Sequence, residues 1–443
     1  MVTLVNRAKM STSTTGTGTI TLGSAETGYQ TFADAGVANG DVVRYVIEDG
    51  NDWEIGSGTY TATGTTLSRT VSESSNADAA LNLTGSAVVF ITAAAGDVFQ
   101  GELFAESYDG TSTKPTASGT NTIAIGVNAY AVNEYSIAIG RNASAQGGSQ
   151  AIALGEGADA RQVAAVAIGL DSYANGSASV ALGRDAQAIS GSNATAISKS
   201  YASGASSLAA AIANNTSSYG ATGSNSIAIG YLSKAEDTYA IALSGGRADG
   251  SASLAWSTNA RARFSRSIAL GYNAFSNADD AIAIGDNALS AVKGKVAYAS
   301  GRFAAQGDAQ GGQFIFRADT TDATAEALTT NNSTASTTNQ IILPNNSAYS
   351  FSGTIIARQQ ASGGSNYASW EIKGALLRDA TAASTVLGNG IVNKLYATAG
   401  ASAWAVALTA DTTNGGLKVE VTGAAATNIR WVATVNTSEV TYA

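Results

Sequence analysis

The sequence predicts an all-β protein made of blocks in series. A phrase of about fourteen residues recurs between Thr122 and Gly301, and turn-rich runs of alternating apolar residues lie on both sides of it. Only 13% of the 443 residues are charged and only two are proline, which argues against a disordered chain. The predicted blocks are an N-terminal β-sandwich or barrel (residues 1–100), a linker (101–121), a solenoid (122–312) and a jelly-roll-like antiparallel β-sandwich (313–443).

The repeated phrase has the form large–small–large–Gly. Ile123-Ala124-Ile125-Gly126 returns fourteen residues later as Ile137-Ala138-Ile139-Gly140. Fourteen residues are too few for two helices, but they suffice for two short strands and two tight turns. A weaker phrase, such as Asn128-Ala129-Tyr130-Ala131, follows each copy and predicts the returning strand. A short unit that buries its apolar side only by stacking on its neighbours is typical of a solenoid, here a parallel β-roll.

Alternation with period two places the large residues and the alanine of each phrase on opposite sides of the strand. We expect Ile, Val and Leu to fill the interior and the alanines to form an apolar ladder outside. Such a ladder is rarely left in water, and a cyclic homotrimer would cover it. Alternatively, alanine merely tolerates a strand surface. The predicted trimer-interface residues are Ala124, Ala138, Ala153, Ala167, Ala181, Ala228, Ala242, Ala269 and Ala283.

The phrases Ser136-Ile137-Ala138-Ile139-Gly140 and Ser226-Ile227-Ala228-Ile229-Gly230 resemble the head repeats of the YadA-type trimeric adhesins. This resemblance implies a left-handed parallel β-roll that assembles as a homotrimer and binds surfaces. Ser198 and Ser244 depart from the pattern because they replace the glycine. The stretch 199–225 is irregular, and within it Leu208-Ala209-Ala210-Ala211 is expected to form a distorted coil.

The flanking blocks resemble parts of phage fibres. Gly40-Asp41-Val42-Val43-Arg44-Tyr45 is similar to N-terminal modules of phage-borne fibre proteins, and Leu343-Pro344-Asn345-Asn346-Ser347 is similar to their C-terminal tips. We therefore predict a homotrimeric tail fibre on a virion. Its expected partners are a phage tail or capsid protein at the N-terminal end and a host surface glycan or outer-membrane component at the tip. The candidate receptor-binding residues are Arg358, Gln360, Asn366, Tyr367, Asn393 and Lys394.

The composition argues against several other functions. With no histidine and no cysteine, Ser-His-Asp and Cys-His catalysis and His/Cys zinc sites cannot be built. A net charge of −9 argues against duplex nucleic acid as a partner. No run reaches the roughly 18 apolar residues of a membrane helix. We expect no cofactor and no enzymatic activity, and we predict no metal-binding residues. Whether surface acids such as Asp279 and Asp280 hold Ca²⁺ with backbone carbonyls stays open, although no D-x-[DN]-x-[DN]-G loop is present.

Three alternatives stay open. A capsid-mounted head fibre or spike belongs to the same class. A bacterial surface adhesin is disfavoured because the first ten residues contain no apolar core of a secretory signal. A glycan-degrading tailspike needs paired carboxylates. The candidates Asp279 with Asp280, Glu156 with Asp159, and Glu236 with Asp237 are expected to lie in solvent-facing turns.

Overall fold

The computed structural model of the chain describes residues 2–97, 113–214, 216–361 and 366–442. These residues form β-strands and three short 3-10 helices, Ala95–Asp97, Ala382–Ser384 and Ala399–Ala401, with no α-helix in the described ranges. The chain divides into two units, Met1–Leu103 and Phe104–Ala443, and each is described by itself. Residues 101–112 of the predicted linker lie outside the described residues. The rest of that linker already contains the first solenoid strand, Thr116–Ala117.

The alternating apolar residues of the first unit close a small barrel. Asp52–Thr61 pairs with Thr66–Leu67 on one edge and with Val42–Asp49 on the other, so the sheet returns to its starting strand. Side chains such as Met10, Ile20 and Tyr45 fill the interior. The strands are Lys9–Thr12, Thr15–Gly16, Ile20–Ala25, Val42–Asp49, Asp52–Thr61, Thr66–Leu67, Thr70–Ser74, Leu83–Thr84 and Ala87–Ile91.

A buried ion pair crosslinks this barrel. Arg69 Nε donates to Glu54 Oε1 at 2.9 Å, and Tyr45 Oη donates to the same oxygen at 2.8 Å. Burial acts to raise the pKa of Glu54, but the hydrogen bonds from Arg69, Leu81 and Tyr45 outweigh it, and the pKa lies below its ordinary value. The Glu54 carboxylate therefore stays charged in the core.

The second unit begins with a solenoid of thirteen coils in the described residues, each coil giving one strand to each of two parallel sheets. The first sheet contains Ile123–Ile125, Ile137–Ile139, Ile152–Leu154, Val166–Ile168, Val180–Leu182, Thr195–Ile197, Leu208–Ala210, Ile227–Ile229, Ile241–Leu243, Leu254–Trp256, Ile268–Leu270, Ile282–Asp286 and Val296–Ser300. The second contains Thr116–Ala117, Tyr130–Ala131, Ser144–Ala145, Asp159–Ala160, Tyr173–Ala174, Gln187–Ala188, Tyr201–Ala202, Gly220–Ala221, Lys234–Ala235, Arg247–Ala248, Arg261–Ala262, Phe275–Ser276 and Leu289–Ser290.

The interior of the solenoid is lined with alanine, and the predicted orientation of the repeat is wrong. Apart from Ile212, every residue of the buried apolar cluster is an alanine. Eight of the nine predicted interface alanines have no exposed surface within a single chain, and Ala124, in the first coil, is 8% exposed. The predicted interface alanines therefore cannot form a ladder between chains. The set is Ala124, Ala138, Ala153, Ala167, Ala181, Ala228, Ala242, Ala269 and Ala283.

The short coil explains this reversal. For most of the solenoid, the strands of the two sheets are only three and two residues long. The two sheets therefore lie close together, and only methyl and hydroxymethyl side chains fit between them. Alanine also lies on the inner side of the second sheet, as at Ala131 and Ala145. Where a coil is longer, between the strands that begin at Leu208 and Ile227, the larger Ile212 is buried.

The repeat glycines are required by the stacking of coils. Gly169 has φ +126°, and a Cβ placed on it would lie 2.7 Å from the carbonyl carbon of Gly183 in the next coil. Both the backbone conformation and the close approach exclude a side chain. Ser198 and Ser244 replace glycine with φ of 57° and 53°, in the left-handed α region, which a serine tolerates at some cost.

The C-terminal block is an antiparallel β-sandwich, as predicted. Its larger sheet, in spatial order, is Ala309–Thr320, Ile429–Thr441, Ser347–Gln359, Tyr367–Arg378 and Val386–Ala397. In the smaller sheet, Gly416–Thr422 pairs with Ala405–Asp411 on one edge and with Ala325–Ala327 and Ile341–Ile342 on the other. Trp370, Trp404 and Trp431 are buried between the sheets.

The solenoid and the sandwich share one sheet. The last solenoid strand pairs antiparallel with Ala309–Thr320, so the boundary predicted at residue 312 falls inside a strand. Lys295 takes an inward position that is alanine or serine in most earlier coils, and its Nζ donates to Glu439 Oε2 at 2.6 Å. Burial lowers the pKa of Lys295, against the attraction of Glu439. This buried pair joins the end of the solenoid to the sandwich.

The two sides of one strand give a matched test of the alanine interior. Ala188 is fully buried between Ala174 and Ala202, whereas its neighbour Gln187 lies on the outer side of the second sheet. Ala188→Leu should lower the free energy of unfolding by ~1–3 kcal/mol, because the interior cannot expand. Gln187→Leu should change it by less than ~0.5 kcal/mol. Urea unfolding at one fixed protein concentration measures both, and equal effects would contradict the inward orientation of alanine.

Candidate functional site

The outer side of the first solenoid sheet is apolar along nearly its whole length, with Thr195 as a polar member. The first and third residues of each strand point outward, and we call these two rows the aliphatic face. Its first row is Ile123, Ile137, Ile152, Val166, Val180, Thr195, Leu208, Ile227, Ile241, Leu254, Ile268, Ile282 and Val296. Its second row is Ile125, Ile139, Leu154, Ile168, Leu182, Ile197, Ala210, Ile229, Leu243, Trp256, Leu270, Ile284 and Tyr298.

Seven residues of the second row and Ile123 of the first are exposed to solvent in a single chain, and the other large members are half-buried. Ile229 is 38% exposed, Ile284 42% and Trp256 55%. Twelve strand spacings of ~4.8 Å make the face ~58 Å long. A continuous apolar surface of this kind is typical of a protein–protein contact.

The outer side of the second sheet is mixed in character. Its outward positions include the polar residues Asp159, Gln187, Lys234, Arg247 and Arg261. They also include Tyr130, Tyr173, Tyr201, Phe275 and Leu289. Arg261 Nε lies 2.7 Å from Asp249 Oδ2, and Arg247 Nε lies 2.5 Å from Asp249 Oδ1. Charged ladders of this kind are compatible with water, so the second sheet forms the more polar side of the solenoid.

The acids considered for catalysis are mostly held in ion pairs on the solenoid surface. Arg266 Nε lies 2.5 Å from Asp280 Oδ1, and the hydrogen bond from this guanidinium holds the pKa of Asp280 below its ordinary value. Glu236 pairs with Lys234 at 2.6 Å and with Arg247 at 2.9 Å. Glu156 contacts Arg141, Asp159 contacts Arg161, and Asp279 contacts Lys293. Asp237 Oδ1 accepts the N–H of Thr238.

Four of the six candidate receptor residues lie together at the end of the sandwich away from the solenoid. Ala309–Thr320 starts beside the last coil, and Thr320 and Gln359 both pair with Ile429 at the far end. Arg358, Gln360, Asn366 and Tyr367 flank the hairpin there. Residues 362–365 of this hairpin lie outside the described residues.

Local hydrogen bonds organise this far end. Asn366 Nδ2 donates to Gln359 Oε1 at 2.9 Å, and Thr398 Oγ1 donates to Asn366 Oδ1 at 3.1 Å. The Gln360 N–H donates to the Asn428 carbonyl at 2.8 Å. The Tyr367 ring stacks on Tyr396, with centroids 5.1 Å apart. Amide groups and an exposed aromatic pair are therefore held in fixed positions.

The other two candidates lie on the strand at the edge of the large sheet. Asn393 is exposed there, opposite Glu371. Lys394 Nζ donates to the carbonyl oxygens of Ser402 at 2.8 Å and Trp404 at 2.7 Å. Lys394 thus stabilises the turn before Trp404, and its ammonium group is already occupied.

Sequence analysis missed a polar groove of about 840 Å³ on the smaller sheet. Burial, followed by the repulsion of Asp322 and Asp319, raises the pKa of Glu326 in its wall. Burial acts to raise the pKa of Asp411, but hydrogen bonds from Asn414 and the Thr413 N–H lower it overall. The Asp411 oxygens accept hydrogen bonds from Asn414 and so hold this turn in place. Its lining includes Glu326, Asn332, Thr334, Asp411, Asn414 and Lys418.

No group of three or more metal-binding side chains occurs among the described residues. None of the described residues belongs to a helix of the length and hydropathy needed to cross a bilayer.

Comparison with protein families identifies the solenoid repeat. The family model described as the YadA head domain repeat matches residues 117–143, 147–172, 160–186, 221–243 and 265–288. These segments are YadA head repeats. The YadA-type resemblance of the repeat is thus confirmed, while both flanking blocks lie outside the matched segments.

Neither solved structures nor curated proteins extend this result to the flanking blocks. The tailspike protein of Acinetobacter baumannii phage AM24 is similar over 72% of this chain, with 8% sequence identity and a TM-score of 0.16, a score too low to carry an argument. This chain covers 54% of that protein, about half its length. No curated protein matches the chain.

The YadA head repeats agree with the geometry of the solenoid. Their Ile-Ala-Ile-Gly phrase supplies the buried alanine, the left-handed glycine turn and the two outward aliphatic residues of each coil. The coarse function that the YadA head repeats suggest is that of an adhesin-like fibre.

Proposed function

We propose that the chain is a homotrimeric fibre protein of a tailed-bacteriophage virion, with the YadA head repeats as its rigid shaft. The observation that carries the proposal is the aliphatic face, an apolar surface ~58 Å long that a lone chain would expose to water. Three copies with their aliphatic faces turned toward a common axis would bury it, as the resemblance to trimeric YadA-type heads implies.

The proposal gives the remaining blocks separate tasks. The N-terminal barrel, with its similarity to N-terminal modules of phage fibres, attaches to a tail or capsid protein. The far end of the C-terminal sandwich meets a host surface glycan or outer-membrane component, because loops on a rigid scaffold commonly carry recognition. The proposal includes no cofactor, no nucleic acid, no membrane insertion and no catalytic step.

A bacterial surface adhesin is the second candidate, favoured by the YadA head repeats themselves. Immunogold electron microscopy with antibodies against the full chain separates the two. We expect gold on the tails of purified phage particles. Gold on capsids would move the attachment point to the head. Gold on the surface of uninfected cells with none on particles would overturn the virion assignment in favour of the adhesin.

Charge on the aliphatic face should prevent trimer formation. The double variant Ile168→Asp with Ile229→Asp would place six carboxylates at the interface of a trimer, where each would be buried without a partner. By light scattering, we expect three times the chain mass of 44.3 kDa for the wild type and a single chain mass for this variant.

The control for that variant carries the same charge on the other sheet. Tyr130 and Gln187 occupy outward positions of the second sheet, so Tyr130→Asp with Gln187→Asp should remain trimeric. A monomeric wild type, or equal dissociation of the two variants, would contradict assembly through the aliphatic face.

The receptor role of the far end predicts a local binding defect. Gln360→Ala with Asn366→Ala should weaken binding of the full-length protein to host cells about tenfold, as expected for the loss of ~1.4 kcal/mol of contact energy. Trp53→Ala, at an exposed position of the N-terminal barrel, is the matched control and should bind normally. Loss of binding only in the Trp53 variant would place the receptor contact at the N-terminal end.

A further inference from the structure

The large sheet of the sandwich continues the first sheet of the solenoid. At the junction, Val296 pairs with Gln313, Ala297 with Gly312 and Tyr298 with Gly311. Residues directly opposite each other on neighbouring strands point to the same side of a sheet. Ala297 is buried in the solenoid, whereas Val296 and Tyr298 belong to the aliphatic face. The outer side of the sandwich sheet is therefore continuous with the aliphatic face.

Exposed apolar residues continue along that outer side. Strand alternation places nine of them there, and we call this set the tip face. Ile315, near the junction, is 59% exposed and follows Gln313 on the same side of its strand. The tip face consists of Ile315, Ile356, Tyr367, Leu377, Val386, Ile391, Tyr396, Val432 and Val440.

The opposite layer of the sandwich has a different surface. The outward residues of its central strand are Lys418, Glu420 and Thr422, and Thr409 is exposed on the neighbouring strand. Among the described residues, no large exposed apolar side chain belongs to this smaller sheet. The asymmetry between the two layers matches that between the two sheets of the solenoid.

We propose that the tip face is covered by further copies of this chain, so that the three-fold contact runs from the shaft to the far end of the sandwich. The proposal rests on the proposed trimer of the solenoid and extends it to a block that the YadA head repeats do not include. Charged pairs lie on the same outer side: Arg430 Nε is 3.3 Å from Asp319 Oδ1 at the far end, and Lys373 Nζ is 3.7 Å from Glu371 Oε1 among the apolar residues. Their pairing lets them be covered together with the apolar side chains.

This arrangement changes which tip surfaces can reach a receptor. Tyr367 becomes a contact between copies. The polar groove on the smaller sheet, with Glu326, Asp411 and Lys418 in its wall, turns outward on each of the three copies. The surfaces left for a host are then the far-end loops and this groove.

The absence of cysteine from the sequence allows a direct test by thiol labelling. Single cysteines are introduced in the full-length protein as Ile356→Cys on the tip face, Ile229→Cys on the aliphatic face and Thr409→Cys on the smaller sheet. All three positions are exposed in a single chain. We expect a maleimide to modify Ile356→Cys and Ile229→Cys at least about tenfold more slowly than Thr409→Cys, because a contact between copies must open first.

The four outcomes separate this inference from the proposed shaft trimer. Slow labelling at both Ile356→Cys and Ile229→Cys supports the tip contact and the shaft trimer. Slow labelling at Ile229→Cys alone overturns the tip contact and leaves the shaft trimer. Slow labelling at Ile356→Cys alone supports the tip contact and overturns the shaft trimer, and fast labelling at all positions overturns both. Each variant must keep the wild-type thermal unfolding midpoint, and Val432→Cys replaces Ile356→Cys if that variant is destabilised.

Discussion

The narrow interior of the solenoid is the constraint on which the rest of the structure depends. Two sheets joined by tight turns in a fourteen-residue coil lie so close together that, with rare exceptions such as Ile212 and Lys295, only alanine, serine and glycine fit between them. Little apolar area is buried per coil, and much of the order comes from regular stacking of backbone hydrogen bonds between coils. The coil therefore has no room for its own large apolar residues.

In the proposed fibre, those displaced residues hold the copies together. The chain carries Ile, Val and Leu at two outward positions of nearly every coil, and identical copies would provide a matching surface along the full length. The sandwich has a wide core that accommodates Trp370, Trp404 and Trp431. It nevertheless keeps the same division into an apolar and a polar outer side, because its large sheet is a continuation of the first solenoid sheet.

Much of this architecture could be predicted from the sequence, because the fourteen-residue period, the glycine turns and the strand alternation are local signals. Which side of the strand is interior is not local, and it was predicted wrongly. The signal was available: Ala129 and Ala131 repeat the small residue on the returning strand, and a closed interior must be small on both walls. The polar groove escaped prediction because Glu326 and Asp411 are distant in sequence and meet only through the pairing of Gly416–Thr422 with strands on both of its edges.

The most direct test of the account is an experimental structure of the full-length protein in solution by cryo-electron microscopy. The account predicts three chains around one axis, alanine inside each roll, and the Ile139, Ile229 and Ile284 side chains packed between chains. A map in which these isoleucines face solvent, or in which they fill the interior of the roll, would contradict it.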